Sequence, residues 1–150
     1  MNIEQIQNEL AKQFSNITFE NEGLQFLNIH VSTEDYYKVM KSLKETGFNS
    51  LYSMIGMDWG KELGIINHLE DTDTRTMIAV RVKLDDRENP EIETIENLWK
   101  NAHLNEREIF DLFGINFKEH SVMKRLLLPD DWEGYPMRKD WMDETKMIIR

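Results

Sequence analysis

The sequence predicts an α+β fold in which a mainly antiparallel sheet is covered by helices and followed by an extended C-terminal arm. Three observations predict it. Apolar and polar residues alternate over several short runs separated by turn signals, as in half-buried strands. Two stretches near the N-terminus instead repeat at helical spacing. Beyond Lys124 neither period survives. Strands placed before and after helices in this order fit an α+β layer better than a doubly wound parallel sheet.

In chain order, Ile3, Ile6, Leu10 and Phe14 predict an amphipathic first helix. ITFENEGLQFLNIHV alternates on both sides of Asn21-Glu22-Gly23, which predicts a β-hairpin. Ser32 and Thr33 are candidate N-caps for a helix through Tyr36, Val39, Met40 and Leu43, with Gly47 as its stop. LYSMIGMDW, LGIINHLE and TMIAVRVKL read as three strands, the last two joined by a polar turn around Asp71 to Asp73. A turn at Asp85 to Pro90 and a short helix through Ile95, Leu98 and Trp99 follow. In NEREIFDLFG, Asn105 offers an N-cap, Glu108 completes a capping-box spacing, and Gly114 ends a helix with Ile109, Leu112 and Phe113 on one side.

At 150 residues the chain has the size of one domain. It contains no cysteine, which excludes disulfides and any thiolate-held zinc or iron–sulfur cluster. Its four histidines lack the spacing of an imidazole metal site, so no metal and no cofactor is expected. Eighteen basic against 28 acidic residues give a formal charge of −10, a poor match for nucleic acid or anionic lipid. No apolar run reaches the ~20 residues that span a bilayer, and the first residues lack a basic leader pattern. The chain is therefore expected to be soluble and cytoplasmic, touching a membrane only indirectly.

The arm points to a function class. LLLPDDWEGYPMRKDWMDETKMIIR carries Trp132, Tyr135, Met137, Trp141 and Met142 without enough regular structure to bury them. Six basic and six acidic residues balance within the arm, so the net charge lies on the preceding body. Trp, Tyr and Arg anchor interfaces, and an acidic body with a neutral aromatic arm fits a chain draped over a partner. The organisation expected is an α+β body over residues 1–123 and a partner-binding arm over 124–150. The alternative is an arm that folds back on its own sheet.

Two motifs carry a resemblance. Glu106-Arg107-Glu108, Asp111-Leu112-Phe113, then His120, Lys124, Arg125, Leu126 and Leu127 resemble the signature of the complex I 30 kDa subunit family, the C-type subunits of NADH:quinone oxidoreductase. Trp132-Glu133-Gly134-Tyr135-Pro136-Met137-Arg138-Lys139-Asp140 is similar to its closing W-x-G-x-P-L-R-K-D motif. Ser121 departs from the proline common after the histidine, and Tyr135 and Met137 replace a common histidine and leucine. The resemblance implies a cofactor-free, non-catalytic docking subunit in the hydrophilic arm of a proton-translocating NADH- or ferredoxin-dependent quinone oxidoreductase. Its partners would be the 49 kDa-type (D-type) quinone-site subunit, which the arm wraps, and neighbouring iron–sulfur subunits, at the cytoplasmic face of a bacterial or archaeal membrane. The equivalent subunit of a membrane-bound energy-converting [NiFe] hydrogenase is the alternative.

The residues expected at the partner interface are Glu106, Arg107, Glu108, Asp111, His120, Arg125, Trp132, Tyr135, Pro136, Arg138, Lys139 and Trp141. Glu106, Glu108 and Asp111 also admit a free-standing carboxylate enzyme. A helix start and a bidentate partner for Arg107 account for them more simply. His120 reads as a hydrogen-bonded structural residue rather than a proton carrier. Arg138 and Lys139, presented together after the Gly134-Tyr135-Pro136 turn, suit a partner carboxylate. Asp58 and Trp59, between Gly56 and Gly60, mark a strand-end loop that reads as a solvated turn.

Overall fold

The computed structural model describes residues 2–21 and 26–140, and the backbone at 142–143 and 148–149. Helix α1 (Ile3–Gln13) opens on a capping box in which the Asn2 side chain accepts from the Gln5 amide and Gln5 reciprocates. Strands β1 (Thr18–Glu20) and β2 (Leu27–Val31) pair antiparallel, Thr18 opposite His30, as the alternation predicts. The turn expected at Glu22-Gly23 lies outside the described residues. Helix α2 (Tyr36–Thr46) buries Tyr36, Val39, Met40 and Leu43 and stops at Gly47. Strands β3 (Ser50–Asp58), β4 (Leu63–Asp71) and β5 (Thr76–Leu84) form an antiparallel meander.

The five strands lie in the order β1-β2-β5-β4-β3, and β2 pairs with β5 in parallel. Inward residues such as Ile29, Val80, Ile65 and Leu69 form one core with Ile6 and Leu10 of α1 and the buried stripe of α2. The sheet is mainly antiparallel and belongs to an α+β fold, as expected, and the parallel β2–β5 pair makes it mixed.

The second half differs from the sequence reading at residues 94–100, at the start of the helix that ends at Gly114, and in a short pair of strands, Glu91–Glu93 and Asn116–Lys118, that no alternation announces. Residues 94–100 form turns instead of a short helix, after strand β6 (Glu91–Glu93). Ile95 and Trp99 are buried there as anticipated, but the local polar groups are already engaged: the Ile95 amide donates to Glu106 and Trp99 Nε1 donates to the Phe48 carbonyl. Helix α3 (Ala102–Phe113) has Asn101 rather than Asn105 at its N-cap, one turn earlier than expected. Asn101 does not cap through its side chain because its amide donates to Leu51 O on β3 at 2.8 Å. The Asn105 side-chain amide donates back to Asn101 O. Glu106 thus sits a full turn inside the helix and faces the core.

Helix α3 packs against β3 across Gly56. A Cβ there would lie 2.6 Å from the Phe113 ring, so only glycine permits this approach. Gly114, in the left-handed region at φ 77°, ends the helix, and strand β7 (Asn116–Lys118) pairs in parallel with β6. Residues 119–140 contain no helix or strand, and two-residue strands β8 (Met142–Asp143) and β9 (Ile148–Ile149) pair antiparallel.

Candidate interface: a C-terminal strap anchored on helix α3

The outer side of α3 is a row of acceptors, and residues 119–140 are tied along it as a strap. Asp111 is the central anchor. Its carboxylate is fully buried (0% exposed) and accepts from Arg125 Nη1 at 2.9 Å and from the amides of Leu126, Leu127 and Leu128 at 3.1, 2.6 and 3.0 Å. Burial pushes its proton affinity up, but the Arg125 guanidinium and the three amides outweigh that and hold the carboxyl below its ordinary range. The other arm of Arg125 donates to the carbonyls of Trp132 and Gly134, so one side chain closes both ends of the intervening loop. Arg107, expected to meet a carboxylate, instead donates to the carbonyls of Lys124 and Arg125.

A second anchor lies at the helix end. Arg138 Nε donates to the Phe113 carbonyl at 2.6 Å, placing a cation at the negative pole of α3, and the Met137 amide donates to Leu112 O. The Arg125 and Arg138 guanidiniums both lie over the Tyr135 ring, 5.1 and 5.2 Å from its centroid, and the ring presses on Gly114. The third anchor is Asp58 at the end of β3, which takes both forks of Arg87 at 2.8 Å, the Lys139 amide at 2.8 Å and the Gly60 amide. The Arg87 hydrogen bonds hold the Asp58 carboxyl far below its ordinary value, and Arg87 also reaches Asp140. The solvated turn expected at Asp58 is in fact a buried clamp, because Arg87 lies across it.

At the root of the strap, His120 brings together groups far apart in sequence. Its ring is fully covered; Nδ1 accepts from the Val122 amide at 3.0 Å, and Nε2 lies 3.1 Å from both the His103 carbonyl and Glu96 Oε2, and 3.7 Å from Glu106 Oε1. The His103 ring stacks at 4.7 Å and its Nδ1 is 3.7 Å from the same Glu96 oxygen. The donor atoms of Glu96, His103 and His120 fall within 4.8 Å of one another, close enough to raise the question of a metal. The hydrogen bonding argues against one: with the Val122 amide on Nδ1, neutral His120 carries its proton on Nε2, the atom a cation would need. Glu106 completes the cluster, fully buried, accepting from the Thr94 hydroxyl and the Ile95 amide. Desolvation pushes its carboxyl up to about 7.

Of the residues named from sequence, Glu106 and Asp111 are therefore inside the protein, not on an outward acidic cluster. Arg107 on α3 and Arg125, Trp132, Tyr135, Pro136 and Arg138 along the strap are partly exposed, the His120 ring is covered, Glu108 and Lys139 are exposed, and Trp141 lies outside the described residues. Arg87, Thr94, Glu96 and His103 join the site from outside both motifs. Their only sequence signal is residue type, since each meets partners 7 to 53 positions away that share no periodic spacing. Seven large apolar side chains are exposed among the described residues, and five of them, Leu104, Val122, Leu126, Leu127 and Met137, belong to α3 or the strap. A cleft of about 530 Å³ beside Lys44, Trp99 and Asn101 includes none of the strap.

The sheet, the helix hub and the strap together define an α+β fold that is shared by solved structures. A chain in the structure of the membrane-bound sulfane sulfur reductase, an archaeal respiratory membrane complex, shares the fold at TM-score 0.81 and 22% identity, over 95% of this chain and 87% of that one. A trypsin-resistant fragment of Nqo5 matches at TM-score 0.73 and 27% identity, covering 81% and 99%. In sequence, the C-type subunit of the NADH-quinone oxidoreductase of Moorella thermoacetica is 35% identical over 92% of this chain and 94% of its own length. The C/D-type subunit of the NADH-quinone oxidoreductase of Phocaeicola vulgatus is 45% identical over 81% of this chain, which spans about a quarter (24%) of that relative. The family of the respiratory-chain NADH dehydrogenase 30 Kd subunit matches residues 29–146, and the chain belongs to it.

Proposed function

We infer that this chain is a non-catalytic docking subunit in the hydrophilic arm of a proton-translocating NADH- or ferredoxin-dependent quinone oxidoreductase, and that it holds the 49 kDa-type (D-type) subunit. The observation that carries this reading is the gathering of five of the seven exposed large apolar residues on α3 and the strap. Single exposed apolar residues are normal, but a cluster beside fixed arginines is what a partner surface uses. The buried carboxylates do not compete with it, since Asp58 and Asp111 are saturated by the chain's own donors, which hold the strap in a preorganised shape.

The C/D-type relatives support the choice of partner: a single polypeptide carries the matched stretch as about a quarter of its length together with a D-type part. In this reading residues 1–123 are the body and 124–150 the partner-binding arm. Arg107, Glu108, His120, Arg125, Trp132, Tyr135, Pro136, Arg138, Lys139 and Trp141 form the interface or its immediate support, with Glu106 and Asp111 acting from inside. Among the described residues no helix is long and apolar enough to cross a membrane. Membrane association is then peripheral, at the cytoplasmic face, through the complex.

The experiment is co-purification of the full chain with the D-type subunit of the same organism, free of all other subunits. A stable one-to-one complex is expected. Two separately eluting proteins at micromolar concentration would overturn the reading.

A further inference from the structure

The cluster at the root of the strap lies beneath the proposed docking surface, and it contains an uncommon arrangement: two carboxylates, Glu96 and Glu106, facing one fully covered imidazole. His120 covers Glu106 from the strap side. It reaches that position because Glu119 takes a left-handed conformation at φ 69°, and the Ser121 amide then donates to Glu96 Oε2 at 3.1 Å. Beyond it, the strap continues directly into the Arg107 and Asp111 hydrogen bonds. The His120 plug and the strap therefore leave or stay together.

The geometry points to a protonation-controlled strap: with Glu106 protonated, residues 119–128 stay closed on α3, and ionisation of Glu106 favours their opening. The reason is solvation. In the closed state Glu106 is at 0% exposure, held only by the neutral Thr94 and Ile95 donors, with Glu96 as a like charge. The other titratable groups facing it are Tyr36 of α2, itself pushed up by burial and by Glu106, and His120, while His103 faces Glu96. Opening removes the His120 plug and lets water reach the carboxylate, so the open state binds the proton less tightly. Linkage then fixes the sign. Between the ordinary glutamate value of 4.5 and the closed-state value of about 7, opening rises with pH, and above that window it levels off. Asp111 and Glu96, both shifted down, act with the opposite sign and at lower pH.

The test is amide hydrogen exchange of Leu126, Leu127 and Leu128 in the full chain, followed by NMR from pH 5 to 7.5 and corrected for intrinsic rates. Protection is expected to fall by up to about tenfold per pH unit from pH 5 to 7, then flatten, while amides of β4 and β5 keep theirs. Glu106→Gln, which retains the acceptor and cannot ionise, is expected to remove the slope. Protection that is flat or increases from pH 5 to 7 in the unaltered chain overturns the proposal even if the variant does not fold. So does a Glu106→Gln chain that keeps the original slope.

Discussion

Asp111 shows how one side chain can organise a segment with no secondary structure. Fully buried itself, it accepts from a guanidinium and three consecutive amides. Asp111→Ala leaves a buried Arg125 charge and those amides unpaired, a class of change that costs ~3–5 kcal/mol. Urea unfolding should register most of that loss, or the strap should detach while the sheet survives. A pH prediction follows at the same scale. Asp58 and Asp111 both have folded values below the ordinary 3.8, so their contribution is present above it and lost as pH falls through the folded values. Acid unfolding below about pH 4 should therefore become less steep in Asp111→Asn; an unchanged acid limb would deny Asp111 this role.

At the scale of elements, two glycines set how closely α3 approaches its neighbours. Gly56→Ala places a methyl group 2.6 Å from the Phe113 ring and is expected to cost ~1–3 kcal/mol by overpacking. Gly114→Ala meets both a left-handed backbone and the Tyr135 ring at 2.6 Å. It should lower hydrogen-exchange protection of the Met137 amide, which donates to Leu112 O, more than protection of the β4–β5 ladder. Equal loss in both would mean that the strap and body open as one unit.

What can be read from sequence follows the same division. The β1–β2 hairpin, the α2 stripe and the Gly47 and Gly114 stops are local patterns, and each forms where its pattern lies. The parallel β2–β5 pairing joins strands separated by α2, β3 and β4, and no local period encodes it. The start of α3 is hidden because Asn105 and Glu108 have the spacing of a capping box, while the Leu51 carbonyl that takes the Asn101 side chain is 50 residues away. The strap residues are visible as a motif, but their anchors are not. Arg87 reaches Asp58 across 29 residues, and Glu96 meets His120 only when β6 and β7 pair.

For the whole molecule, the strap occupies an intermediate position between the two readings of the arm. Up to Asp140 it is fastened to the chain's own helix and strand, yet Leu126, Leu127 and Met137 remain exposed along it, Leu127 at 62%. The folded chain thus presents a fixed apolar surface in a molecule of net charge −10. Leu127→Glu changes that surface without touching an anchor, because the Leu127 backbone amide, not its side chain, binds Asp111. Surface substitutions of this kind usually stay within about ±0.5 kcal/mol, whereas at the centre of an interface a misplaced charge costs ~2 kcal/mol or more. The most direct measurement is quinone reductase turnover of Leu127→Glu normalised to intact complex on a native gel, beside the melting temperature of the isolated chain. An unchanged melting temperature, a large loss of assembled complex and near-normal turnover in whatever does assemble are the results predicted for a docking subunit. Full assembly of the variant, or full assembly with collapsed turnover, would contradict it.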